Sequence, residues 1–104
     1  MIEISKMNIK ANEVDDIFYN WNNDKNELLK KSERNISFEK IVSVIQDKKL
    51  LDIIPSPTHK EQLCFVVNVE NYVYIVPFVE EDKYTIFLKT IYPSRKHTKY
   101  YLKG

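Results

Sequence analysis

Glycine is nearly missing from this 104-residue chain: its one glycine is the final residue. A Gly-rich phosphate loop is therefore excluded, and with it nucleotide binding of the P-loop or Rossmann kind. Helix ends and turns fall to Asn, Asp, Ser and Pro. One cysteine, Cys64, excludes an internal disulfide and a cysteine-rich zinc site. It sits in the apolar run "LCFVV", which reads as a small buried hydrophobe rather than a reactive thiol. No apolar run approaches the roughly 20 residues of a transmembrane span, and the N-terminus lacks the apolar core of a signal peptide. Those absences point to the cytoplasm, and the length to a single domain. Two histidines without a carboxylate cluster give no metal site, and no cofactor motif is present.

What is present is unevenly placed. Net charge is +1, yet Lys89 to Gly104, "KTIYPSRKHTKYYLKG", holds 5 of the 16 Lys and Arg residues and none of the 15 Asp and Glu residues. The preceding 88 residues carry 11 cations against 15 carboxylates, a net −4. Asymmetry of this kind suggests a local anion-binding face, with a solvated basic helix as the plain alternative.

Hydrophobic spacing outlines the elements. "MIEISKMNIK" alternates like a short strand, and the role of the first 20 residues stays open. "WNNDKNELLKK" spaces Trp21, Leu28 and Leu29 for one helix face, with Asn20 as N-cap and Asp24 in the first turn. In "SFEKIVSVIQDKK", Ser37 caps a helix whose Phe38, Ile41, Val42 and Ile45 recur at helical spacing. "LLDII" reads as a strand stopped by Pro55 and Pro57. "QLCFVVNV", "YVYIVPFV" and "YTIFLKTIY" follow as an antiparallel meander with turns at Glu70–Asn71 and "EEDK". Pro77 cannot donate to a ladder, so its strand should bulge or lack a partner there. Pro93 closes the last strand, and "RKHTKYYLK" makes a short helix capped by Ser94. The expectation is an α+β two-layer sandwich: an antiparallel four-stranded sheet, two N-terminal helices and a short C-terminal helix.

Arg95, Lys96 and His97 fall in the first turn of that last helix, where free N–H groups and the dipole already favour an anion. Helical spacing pairs Arg95 with Lys99 and Lys96 with Tyr100 while Tyr101 or Leu102 packs on the sheet, and Lys89 on the last strand is a further cation for the same face. Arginine holds phosphate bidentately, and tyrosine stacks on bases. His97 and His59 are the two candidates for proton transfer near neutral pH.

"FYNWNNDKNELLKKSERNISFEKIVSVIQDKKLLDI" resembles the opening of the BrnT toxin family, in which an "ISFE"-type helix start leads to a strand ending in Asp. "TIYPSRKHTKYY" is similar to that family's closing strand and "ISARRAT" helix start. The resemblance runs from Phe18 to about Tyr101. It implies a RelE-like ribonuclease fold and the toxin half of a bacterial type II toxin–antitoxin pair, cleaving RNA without metal and partnered by a ribbon-helix-helix antitoxin that binds operator DNA. By motif position, Arg95 and Lys96 take the place of the paired arginines that hold the scissile phosphate. His59 or Lys60 with Glu61 take the place of the polar stretch that supplies acid and base. The chain departs from the pattern in lacking the Gly-Glu pair and the arginine after it, with Gln62 there, and in carrying lysine at the second arginine position, which keeps charge but loses the planar fork. Those departures favour the alternative of a non-catalytic module that binds nucleic acid or a protein through its basic helix.

Overall fold

The computed structural model describes residues 3–4, 9–10 and 17–103. Glu3–Ile4 (β1) and Ile9–Lys10 (β2) pair antiparallel as a separate two-stranded ladder; of the 20 residues left open above, the others before Ile17 lie outside the described residues. From Ile17, buried in the core, the elements are β3 (Phe18–Trp21), α1 (Asn23–Lys30), α2 (Phe38–Gln46), β4 (Leu50–Pro55), β5 (Leu63–Val69), β6 (Tyr72–Asp82), β7 (Thr85–Leu88), β8 (Tyr92–Pro93) and α3 (Arg95–Thr98). The helix α3 continues into a π-helical turn at Lys99–Lys103.

The α+β class is as expected, but the sheet has six strands and mixed direction. β7, β6, β5 and β4 form the antiparallel meander, and β3 adds a parallel edge strand beside β7. "FYNW" is thus a strand rather than a helix start: Tyr19 and Trp21 turn inward against the core, and Trp21 stacks on Phe38 with ring centroids 5.6 Å apart. Helix α1 begins later than its hydrophobic spacing suggested, with Asn22 as its cap and Leu28 67% exposed. Leu29 packs against the core, but the residue α1 buries fully is polar. Asn26, only 3% exposed, donates to Glu39 Oε1 at 2.8 Å and accepts from the Phe38 amide at 2.9 Å, so one side chain ties α1 to the first turn of α2. The Asn26 amide holds the Glu39 carboxyl below its ordinary range, with its own backbone amide assisting.

The layers also differ from the expected two. Phe65, Val67, Tyr74, Val76, Phe78, Ile86 and Leu88 point to one face of the sheet, where α2 buries Phe38, Ile41, Val44 and Ile45. Cys64, Val66, Val73 and Ile75 alternate onto the other face, and Tyr101 and Leu102 cover them. The C-terminal helix therefore packs on the face opposite α1 and α2. A strand apolar on both faces, as β5 is, requires that cover.

Turns replace glycine with other residues in the left-handed region. Glu70 and Asn71 have φ of 53° and 66°, as a two-residue hairpin turn requires. Lys48, at φ 64°, ends α2: its amide bonds Ile45 O, and the Lys49 amide bonds Val44 O, satisfying carbonyls the helix leaves open.

Pro77 sits in the central strand opposite Cys64, and its carbonyl accepts from the Lys89 amide at 2.8 Å on the far side. Its missing N–H thus faces the gap where β7 ends at Leu88 and β8 has not begun. Contrary to expectation, the strand neither bulges nor lacks a partner at Pro77, which pairs with Cys64 in unbroken register; the missing donor is tolerated because it falls where no strand requires it.

Replacing Asn26 with Ala leaves the buried Phe38 amide without an acceptor and should cost about 1 to 3 kcal/mol of stability, read as a lower urea midpoint at unchanged slope.

Candidate functional site

The C-terminal helix starts where Ser94 can satisfy three groups at once. Ser94 Oγ accepts from the His97 amide at 3.1 Å and lies 2.7 Å from His97 Nδ1, while the Ser94 amide donates to Val73 O at 2.9 Å. One turn on, the Thr98 hydroxyl accepts from the Val73 amide at 2.8 Å and donates to Ser94 O at 2.7 Å. Both backbone groups of Val73 are thereby used by the helix, which is bonded to β6 as a strand would be.

The far end is fixed by Tyr101, whose hydroxyl donates to Asp52 Oδ2 at 2.6 Å. A bulge in β4 makes this possible: the register shifts between Leu50 and Asp52, so Asp52 pairs with Val66 and lies on the second face. Without the extra residue the carboxylate would turn toward Phe65 and the core. Burial, and then the bond to Asp52, pushes the Tyr101 phenol up to about 12. The His97 ring lies parallel to that of Tyr101 at 6.3 Å, and Tyr100 meets Tyr101 edge-on at 4.8 Å.

Held this way, Lys96, His97, Lys99, Tyr100 and Tyr101 line a shallow concavity of about 590 Å³. Tyr100 is 74% exposed, an aromatic face open to solvent beside two ammonium groups. Arg95 is also exposed but is not part of the lining. With Nδ1 engaged by Ser94, His97 has Nε2 left for a ligand. Lys89, one residue past β7, rests its ammonium over the Phe87 ring at 5.6 Å. Strand alternation puts Phe87 on the same sheet face as the C-terminal helix.

His59, Lys60 and Glu61 lie elsewhere. They occupy the β4–β5 loop, where Ser56 Oγ accepts from the Thr58 and His59 amides and Thr58 Oγ1 lies 2.9 Å from His59 Nδ1. Together with Gln62, Val79 and Glu80 they line a second concavity, of about 770 Å³. This loop enters β5 at Leu63, opposite Phe78, whereas α3 is bonded to Val73. Five residues of β6 separate the two anchor points, roughly 16 Å at the rise of a strand. The two concavities share no lining residue. Lys96 is thus gathered with His97 rather than with His59 and Glu61, and Arg95 stands on the same helix turn just outside the lining.

Tyr101 packs on the sheet as expected, but its bond to Asp52 and the parts played by Asp52, Thr98 and Glu80 are not marked in the sequence. Thr98, Asp52 and Tyr101 act as positioning groups, and nothing in local spacing marks a hydroxyl that bonds a strand 25 residues away. Glu80, whose carboxyl burial pushes up, was assigned to a turn by the polar run "EEDK", although the strand extends through Asp82. Cys64 is inert: burial pushes its thiol up and it is fully buried. Among the described residues no group of three or more His, Cys, Asp or Glu side chains is placed to hold a metal ion, and no helix is long and apolar enough to cross a membrane.

Because the folded Tyr101 phenol titrates near 12 rather than 10, its contribution to stability is complete below pH 10 and is lost as pH rises toward 12. Tyr101→Phe should lower stability by about 1 to 2 kcal/mol at neutral pH. It should also flatten the alkaline fall in melting temperature between those two values.

No protein-family profile, curated protein or solved structure matches this chain.

Proposed function

We propose that the C-terminal helix is a binding surface for single-stranded RNA, with Lys96 and Lys99 contacting phosphates, Tyr100 stacking on a base and Arg95 and Lys89 extending the cationic track. The observation that carries this reading is the meeting of Lys96, His97, Lys99 and Tyr100 in one concavity on a helix turn free of carboxylates. Backbone cations and an exposed ring suit a flexible strand better than a duplex, whose bases are already stacked.

A second reading is favoured by His97, an imidazole oriented by Ser94 within that same concavity. In it the protein cleaves the strand as the toxin of a bacterial type II pair, which is what the resemblance to BrnT toxins implies, and acts in the cytoplasm beside a ribbon-helix-helix antitoxin. The ribose 2′-oxygen attacks the adjacent phosphorus and the 5′-oxygen leaves, giving a 2′,3′-cyclic phosphate. A base takes the 2′-proton, an acid protonates the leaving oxygen, and Arg95 and Lys96 stabilise the charge on the phosphorane. The separation of the two concavities favours His97 over His59 and Glu61 for proton transfer at this phosphate.

Fluorescent single-stranded RNA titrated at several salt concentrations tests the binding reading. Lys96→Ala and Lys99→Ala should each reduce the salt slope by about 0.7, and Tyr100→Ala should weaken binding by about 1 to 3 kcal/mol. Variants that bind with wild-type affinity and slope would overturn it. The same mixtures incubated with EDTA separate the readings: fragments that disappear with His97→Ala support the toxin, and intact RNA supports the binder.

A further inference from the structure

On the opposite face of the sheet, a concavity of about 400 Å³ lies between the α1–α2 connection and the β5–β6 hairpin, with Lys30, Arg34, Ser37, Lys40, Glu70 and Tyr74 in its lining. The cations there differ in their surroundings. Lys30 is neutralised by Glu27 at 3.1 Å and Glu39 at 3.7 Å. Arg34 and Lys40 form no ion pair among the described residues, which leaves their charge available against the one lining carboxylate, Glu70.

Arg34 is held in place without being neutralised. Its guanidinium carbon lies 4.5 Å from the centre of the Tyr72 ring and 6.0 Å from that of Tyr74, and its Nη1 is 3.5 Å from the Tyr74 hydroxyl. The rings hold the cation without neutralising it, and a guanidinium carries five N–H donors, enough for the tyrosine contacts and an anion together. An arginine already positioned by two rings also loses less side-chain freedom when it binds. The nearby amides at the start of α2 are not free to help, because Asn26 takes that of Phe38 and Ser37 takes that of Lys40. Recognition falls to the side chains.

We propose that this concavity is a phosphate site, in which Arg34 binds two phosphate oxygens and Lys40 supplies the second positive charge. Its volume is in the range of pockets that hold small ligands, which fits a phosphomonoester the size of a nucleotide. A free phosphomonoester and the phosphorylated end of an oligonucleotide present the same group. The site is independent of the RNA surface proposed above, since it lies on the other side of the sheet.

The test is a titration of the full isotope-labelled chain, followed by amide chemical shifts, with inorganic phosphate, adenosine monophosphate, and an oligoribonucleotide with or without a 5′-phosphate. Saturable shifts at Asn35, Ser37 and Lys40 are expected. Their Kd should rise about tenfold in Lys40→Ala and in Arg34→Ala. Lys40 makes no hydrogen bond or ion pair through its ammonium among the described residues, so its variant keeps the test valid if Arg34→Ala loosens the hairpin. Saturation by the mononucleotide identifies a free ligand, and saturation only by the phosphorylated oligonucleotide identifies a strand end. Shifts that never saturate, or a Kd equal in wild type and both variants, overturn the proposal.

Discussion

The hydroxyl of Thr98 carries more of this structure than its size suggests. It bonds the amide of Val73 and the carbonyl of Ser94 from a position only 2% exposed, so it joins strand β6 to the first turn of the last helix. Those groups are buried, and a buried donor left unpaired costs roughly 1 to 3 kcal/mol. Every cation assigned to the RNA surface on α3 and its π-helical turn depends on that attachment. The tether from Tyr101 to Asp52 fixes the direction of the helix once Thr98 has fixed its origin.

What local chemistry could reveal was legible in advance. Ser37 and Ser94 cap the helices their positions implied, and Glu70–Asn71 makes the hairpin turn. The parallel strand β3 was hidden because pairing with β7 is set by contacts more than 60 residues apart. Of Trp21, Leu28 and Leu29, expected on one helix face, Trp21 packs on the core from strand β3, Leu29 packs on it from α1, and Leu28 is exposed; the residue α1 buries fully is Asn26, held by two hydrogen bonds that no periodicity encodes. The two-layer expectation failed for a related reason. "LCFVVNV" is apolar on both faces, and the expected packing of Tyr101 or Leu102 falls on the face opposite α2, which spacing alone does not assign.

For the site, sequence gathered cations and rings by their proximity in the chain, which a helix preserves. The meeting of Lys96, His97, Lys99 and Tyr100 follows from that. The pairing of Arg95 with Glu61 instead requires that two distant segments converge, a property of topology. In this topology the β4–β5 loop and the start of α3 belong to opposite ends of β6. The second cationic cluster, around Arg34, was invisible because its tyrosines come from a strand nearly 40 residues downstream.

The two prolines on the β8 side of the sheet bear on how copies of this chain behave toward one another. Pro77 offers no donor where β7 breaks off, and β8, only two residues long, ends in Pro93. An outer strand that short, carrying a residue without an N–H, is a poor template for the edge of another molecule. This boundary of the sheet therefore resists the edge-to-edge aggregation to which chains rich in β-branched and aromatic residues are prone.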